Sequence, residues 1–296
     1  MDKIKILVTC HKPGPVYQDE VYTPIHVGRA ISSYKDEMAD MIGDDTGENI
    51  SEKNPRYCEL TAQYWAWKNL KDVEYIGFCH YRRFFGIEIN KDNINTLLSK
   101  TDVIAIKMPL RTTVYQDIVN FVSPEDLTIF LMVLSQKYPE YEKAVIDFLW
   151  GNEFYSRNML ICKKELFDQY AQWIFGLLSE CEEYVRRSPY SRGQRAFAYL
   201  GEYFMSVFMI CHGCRIKTVG FVSDVSQIGQ KRGNRFVSLV RSLIKKTFIR
   251  GYVALIGKPN CLEDCFSPPV LVGLANDGIA PLGEKSYELA SQKDHS

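Results

Sequence analysis

The chain has 296 residues, 46% of them hydrophobic and 24% charged, and its 36 basic residues are balanced by 36 acidic ones. That composition fills a sizeable core and belongs to an ordinary globular protein; a zero formal charge gives no global attraction to nucleic acid, so any anion site must be local. Nine cysteines, an odd number scattered through apolar stretches such as those at Cys79 and Cys162, point to reduced thiols rather than a disulfide framework. The first apolar run is too short for a signal peptide, and no uninterrupted apolar run reaches membrane-spanning length. The expectation is a cytoplasmic protein.

Residues 3–9, Lys-Ile-Lys-Ile-Leu-Val-Thr, followed by Lys12-Pro13-Gly14-Pro15, predict a buried first strand that ends in a loop. A charge-rich segment with no assigned element leads to the polar loop Gly43-Asp44-Asp45-Thr46-Gly47-Glu48-Asn49. Asn54-Pro55 then supplies a helix cap and a proline suited to the first helical position, and the helix runs through Lys68. Tyr75-Ile76-Gly77-Phe78-Cys79 reads as a second buried strand that leads straight into His80-Tyr81-Arg82-Arg83. Further strands are expected over 103–106, 158–162 and 215–222, and helices over 124–137, 139–149, 164–180 and 195–210. Strands alternating with helices predict an α/β layer fold. Beyond it, Phe236, Val240, Leu243, Ile244 and Phe248 recur at helical spacing with Arg235, Arg241, Lys245, Lys246 and Arg250 between them. The predicted organisation is one domain over 1–230, a basic amphipathic extension over 231–274 and a polar, disordered tail over 275–296.

Four groups of residues carry candidate chemistry. A strand ending in His80-Tyr81-Arg82-Arg83 places donors where open α/β sheets collect ligands, outside the carboxyl ends of strands, and so forms an anion site; the alternative is two surface arginines and a satisfied core histidine. The carboxylates of Asp44, Asp45 and Glu48 suit a hard divalent cation, although their spacing is not that of an EF-hand loop and a solvated turn explains them too. Arg195 and Glu202 are seven positions apart, hence on one face of a helix whose other face carries Phe197, Leu200, Phe204, Val207 and Phe208. Glu202 there is either a general base or a solvated glutamate. Cys211-His212-Gly213-Cys214 with Cys261 and Cys265 gives a zinc reading, weakened by the long gap between the pairs. The stretch 235–250 is a packed helix, a partner contact or a helix lying on an anionic membrane surface.

Three segments carry a resemblance to a known family: Asp45-Thr46-Gly47-Glu48-Asn49-Ile50-Ser51, the run from Tyr57 to Asn69, and the run from Tyr75 to Phe85. They resemble the bacterial domain-of-unknown-function family DUF4422, with Asn158 to Lys164 and Arg195 to Glu202 similar as well, over about residues 3–225. The family is regarded as capsular or exopolysaccharide glycosyltransferases, some of them galactofuranosyltransferases. The resemblance implies a GT-A-like, Rossmann-type domain with a C-terminal helical extension, binding a UDP-sugar as donor. It implies transfer of a hexose to a lipid-linked or oligosaccharide acceptor, with inversion. Donor-binding positions implied or suggested are Thr9, His11, Lys12, Asp45, Asn49, His80, Tyr81, Arg82, Arg83, Asn158 and Arg195. Glu202 is the expected base and Glu59 the alternative. GT-A enzymes commonly carry an Asp-x-Asp motif after a central strand; here His80-Tyr81-Arg82 occupies that place, which leaves Mn²⁺ or Mg²⁺ without its usual ligands and Asp44, Asp45 or Glu48 as candidates. The missing motif also admits a non-catalytic nucleotide-sugar-binding or scaffold protein, whereas the balanced charge argues against a nucleic-acid partner.

Overall fold

The computed structural model describes residues 2–185, 193–229 and 235–266. In chain order the strands are β1 Asp2–Cys10, β2 Tyr22–His26, β3 Ile42–Gly43, β4 Val73–His80, β5 Phe84–Phe85, β6 Val103–Pro109, β7 Glu153–Lys163, β8 Ile216–Val219 and β9 Phe221–Val222. The helices are α1 Asn54–Tyr57, α2 Leu60–Asn69, α3 Ile94–Leu97, α4 Val114–Ile118, α5 Pro124–Lys137, α6 Glu142–Leu149, α7 Lys164–Cys181, α8 Ala196–Cys211 and α9 Arg235–Ile256. Seven strands form one mixed sheet in the order β3-β2-β1-β4-β7-β6-β8, and β5 pairs with β9 in a separate ribbon. This is the α/β architecture expected, a mostly parallel Rossmann-like sheet with a helical C-terminal part.

Clustering of contacts divides the chain into two compact units. The first comprises 1–108, 154–174 and 201–238 and holds the sheet; the second comprises 109–153, 175–200 and 239–296 and is helical. The span 1–230, expected as one domain, therefore contributes to both. Within the first unit β1 is parallel to β2 and β4, β2 is parallel to β3, and β7 runs antiparallel to β4. Ile4, Ile6, Leu7 and Val8 are fully buried, as continuous apolar runs are when a sheet is covered on both faces. The second unit buries Val114, Ile118, Phe130, Leu131 and Leu149, stacks Tyr115 on Trp150 at 5.1 Å between centroids, and ties Gln116 Nε2 to the Tyr252 hydroxyl at 2.6 Å.

Local expectations needed four corrections. The helix expected from Asn54 breaks at Cys58, which adopts φ +47°, and Asn54 is the first residue of α1 rather than its cap. Its amide donates instead to the Cys58 carbonyl at 2.8 Å and Thr61 Oγ1 at 3.2 Å, fastening α1 to the start of α2. The segment between the first strand and the polar loop, left without an element, contains β2 and β3; Pro24 and the charges around it hide the buried pattern of β2. The strand expected over 215–222 is two strands in two different sheets, separated at Gly220. Arg195 closes a 3-10 turn, Gly193–Arg195, ahead of α8, so it does not share a helical face with Glu202.

Candidate active site

Because β1 to β4 are mutually parallel, their carboxyl ends line one edge of the sheet, with Thr9 opposite both Ile25 and His80, Cys10 opposite His26, and His26 opposite Gly43. Strand order reverses between β1 and β4, since β2 and β3 extend to one side of β1 and β4 to the other. Such a switch point leaves a crevice between diverging loops, where open α/β sheets bind ligands. The loops that follow β1, β3 and β4 carry most of the residues singled out above.

At β4 the chain turns tightly. His80 N–H donates to the Arg83 carbonyl at 3.2 Å and Arg83 N–H returns to the His80 carbonyl at 2.9 Å, leaving Tyr81 and Arg82 at the tip. Arg82 and Arg83 are exposed, and the Arg82 guanidinium lies 4.9 Å from the centre of the Tyr81 ring, which His11 meets edge-on. His80 Nε2 lies 2.7 Å from the Arg157 carbonyl, which only accepts, so Nε2 carries a proton. The other ring nitrogen is 3.3 Å from Thr9 Oγ1, and Thr9 itself is buried with its hydroxyl donating to the Cys79 carbonyl. His11 and Lys12 are exposed just beyond β1.

The second half of the site is a kink in β7. Arg157 and Asn158 both adopt left-handed backbone, φ +71° and +51°, uncommon for residues with a side chain and strained inside a strand. These two residues gather four side chains from three other elements or their flanks. Arg157 N–H donates to Glu202 Oε1 at 2.5 Å, the Arg157 carbonyl accepts from His80, Asn158 Nδ2 donates to Glu59 Oε1 at 2.8 Å, and the Asn158 carbonyl accepts from Gln63 Nε2 at 3.2 Å. One turn beyond Glu202, Ser206 Oγ accepts from Tyr155 N–H at 2.9 Å, so α8 fastens alternate amides of β7. The Arg157 guanidinium sits 4.4 Å from the centre of the Phe221 ring.

Glu202 and Glu59 approach because α8 comes close to α2 at Gly201: a Cβ there would lie 2.6 Å from Leu60 Cδ1. Burial first, then repulsion from Glu59, raise the Glu202 carboxyl from its ordinary 4.5 to about 7, against the opposing pull of the Arg157 amide and the Arg157 and Arg83 guanidinium groups. Arg157 is shifted down by burial and by Arg83. Helix α8 is buried nearly all round, including Phe197, Leu200, Tyr203, Phe204, Met205 and Val207, and the half-buried Glu202 bonds to the Arg157 amide of β7.

The 43–51 loop is occupied with itself. Asp44 is fully buried, and its carboxylate accepts from Gly28 N–H at 2.8 Å, Arg29 N–H at 3.1 Å and Ser51 Oγ at 2.5 Å. Gly28 makes this possible with φ +69°. Asp45 pairs with Lys35 at 3.3 Å and Arg29 at 3.9 Å, Asn49 bonds within the loop to the Gly47 carbonyl and Ser51 N–H, and Glu48 pairs with Lys68 and Tyr64. Three donors already take most of the roughly four lone-pair directions of the Asp44 carboxylate, and the strand end where GT-A enzymes commonly carry Asp-x-Asp bears a histidine and two arginines, so this donor set does not fit a divalent metal. Among the described residues no three His, Cys, Asp or Glu side chains converge as metal ligands. Arg195 belongs to the second unit, as do Cys261 and Cys265.

Thr9, His80, Tyr81, Arg83, Glu59, Asn158 and Glu202 are thus brought together through β1, β4, β7, α2 and α8. Sequence reading missed Arg157 and Gln63. Arg157 alone left a signal, an arginine directly before Asn158 and the apolar run Met159 to Cys162.

The profile of the family described as Domain of unknown function (DUF4422) matches residues 5–213. Among solved structures, the fold is similar to that of the WbbM bifunctional glycosyltransferase in its apo form, with a TM-score of 0.64 and 25% identity over 75% of this chain and 46% of that one. This chain therefore spans just under half of that protein's length. No curated protein matches.

Proposed function

The chain belongs to the DUF4422 family, and from that membership and the chemistry of its sheet edge we propose that it is a glycosyltransferase using a nucleoside diphosphate sugar. The observation that carries this is the pairing, across one switch-point edge, of a cationic turn, His80 to Arg83, with a carboxylate held near about 7, Glu202. Likeness to a glycosyltransferase fold supports it.

Glycosyl transfer needs a departing diphosphate to be stabilised and an acceptor hydroxyl to lose its proton. Glu202 takes that proton on the oxygen not engaged by the Arg157 amide. The hydroxyl oxygen bonds to the anomeric carbon as the bond from that carbon to the diphosphate oxygen breaks, and the electron pair leaves with the diphosphate. Arg82, Arg83 and Lys12 neutralise the developing charge, guanidinium forks being suited to phosphate oxygens, while His80 holds the turn against β7. A base with a pKa near neutrality is matched to this task. No step is assigned to a metal. Single displacement inverts the anomeric centre. By family resemblance the donor is UDP-galactofuranose or another UDP-hexose, and the acceptor a lipid-linked or oligosaccharide chain in cell-surface polysaccharide synthesis. Asn158, through its contact with Glu59, acts in this scheme by holding the carboxylates in place.

Glu202→Gln preserves shape and the bond from the Arg157 amide while removing the base. The expected result is loss of transfer by at least about 100-fold with donor affinity retained, measured by release of nucleoside diphosphate and by donor-induced thermal shift; wild-type turnover also rises with pH through about 7 as Glu202 loses its proton. Unchanged turnover in the variant rejects Glu202 as base.

A further inference from the structure

Helix α9, Arg235–Ile256, is apolar on two faces rather than one. Its inner face is covered by the second unit: Ile249 is 5% exposed, the Tyr252 hydroxyl accepts from Gln116, Lys245 Nζ reaches the Pro109 carbonyl at 3.3 Å, and Lys246 pairs with Glu153 at 3.2 Å. The opposite face carries Val240, Leu243, Ile244, Phe248 and Leu255, repeated at intervals of three, four and seven residues and so forming a continuous stripe. These side chains stand in solvent, with Phe248 70% and Leu255 87% exposed. An uncovered apolar stripe of this kind marks an interaction surface.

Charge identifies the occupant. The helix sequence holds five basic residues, Arg235, Arg241, Lys245, Lys246 and Arg250, and no acidic one, in a chain whose formal charge is zero; Lys245 and Lys246 are engaged on the inner face, while Arg250 is exposed. A second copy of the helix would set basic residues against basic residues, whereas a surface of anionic headgroups over acyl chains satisfies both features, the cations lying among the phosphates and the apolar stripe below them. No helix among the described residues is long and apolar enough to cross a membrane, and α9 needs only to lie along one. We propose that α9 docks the protein in plane on an anionic lipid surface, inserting Leu243, Ile244, Phe248 and Leu255. This goes beyond the transfer reaction and stands on different residues.

The test is co-sedimentation of the full chain with vesicles of mixed phosphatidylglycerol and phosphatidylcholine, against pure phosphatidylcholine. Binding to the anionic vesicles is expected to exceed binding to the neutral ones, to weaken with salt, and to fall roughly tenfold or more in Phe248→Ser/Leu255→Ser, whose replaced side chains are exposed and leave the thermal melt unchanged. Phe248→Trp gives an independent readout: added emission that shifts to the blue on anionic vesicles reports insertion. No vesicle binding overturns the proposal, whether the chain is monomeric or shows concentration-dependent self-association, by sedimentation velocity, that the double serine variant abolishes. Nucleoside diphosphate release measured without lipid is expected to be the same in the double variant and the wild type. Lipid binding and transfer can therefore fail separately.

Discussion

Glu202 is pulled in two directions. Burial and Glu59 favour its neutral acid, while the Arg157 amide and the guanidinium groups of Arg157 and Arg83 favour the carboxylate, and the balance lies at about 7 against an ordinary 4.5. A carboxyl raised on folding keeps a proton that the unfolded chain has already lost. Its contribution to stability is therefore complete below pH 4.5 and disappears as pH rises to about 7. Glutamine keeps the acceptor for Arg157 N–H and carries no charge, so Glu202→Gln is expected to be more stable than wild type above pH 7, with the gap closing towards pH 4.5. Urea unfolding at pH 5 and pH 8 measures this, and a gap that does not change between them removes Glu202 as the titrating group. Active-site strain of this sort exchanges stability for reactivity.

The kink in β7 is the element on which the site depends. A regular strand at 157–158 would point its N–H and carbonyl groups along the ladder; left-handed backbone turns the Arg157 N–H towards Glu202 and the Arg157 and Asn158 carbonyls towards His80 and Gln63. Asn158 tolerates this conformation better than most residues, and its side chain also tethers Glu59. Asn158→Ala removes the tether and places a Cβ-bearing residue without local hydrogen bonding at φ +51°, which is expected to cost roughly 1–3 kcal/mol. Asn158→Gly removes the tether without the backbone cost. Stability should therefore recover in the glycine variant while the turnover defect remains in both, as read from denaturant melts beside steady-state rates. Equal recovery of both would make Asn158 a purely structural residue.

Across the whole chain the measurable consequence is ligand linkage. A donor that binds only the folded protein stabilises it by RT ln(1 + [L]/Kd), about 2.7 kcal/mol at a hundredfold excess over Kd. A panel of UDP-sugars is expected to raise the melting temperature for the true donor and, since the buried Asp44 already accepts from three donors and the β4 turn is cationic, to do so equally with Mn²⁺ or with a chelator. A shift that appears only with Mn²⁺ would restore an acidic metal site. Arg82 and Arg83 at the β4 turn, with Lys12 beyond β1, also make the donor shift sensitive to salt.

Sequence alone settled the alternation of strands and helices, because short apolar runs such as Ile6 to Val8 and Tyr75 to Cys79 read as buried strands flanked by covering helices. It also located the His80–Arg83 turn and picked Glu202, the first through its position after a strand and the second through family likeness. It did not reach what depends on distant parts of the chain meeting: the order of the strands, the two-residue strand β3, the break at Cys58, and the left-handed pair Arg157–Asn158. Nor does spacing along one helix reveal that the Glu202 carboxylate bonds to β7, since its partner Arg157 lies 45 residues away in the chain. Local propensity fixes which elements form; a carboxylate's pKa and a strand's kink come from contacts that exist only once the sheet and α8 have packed.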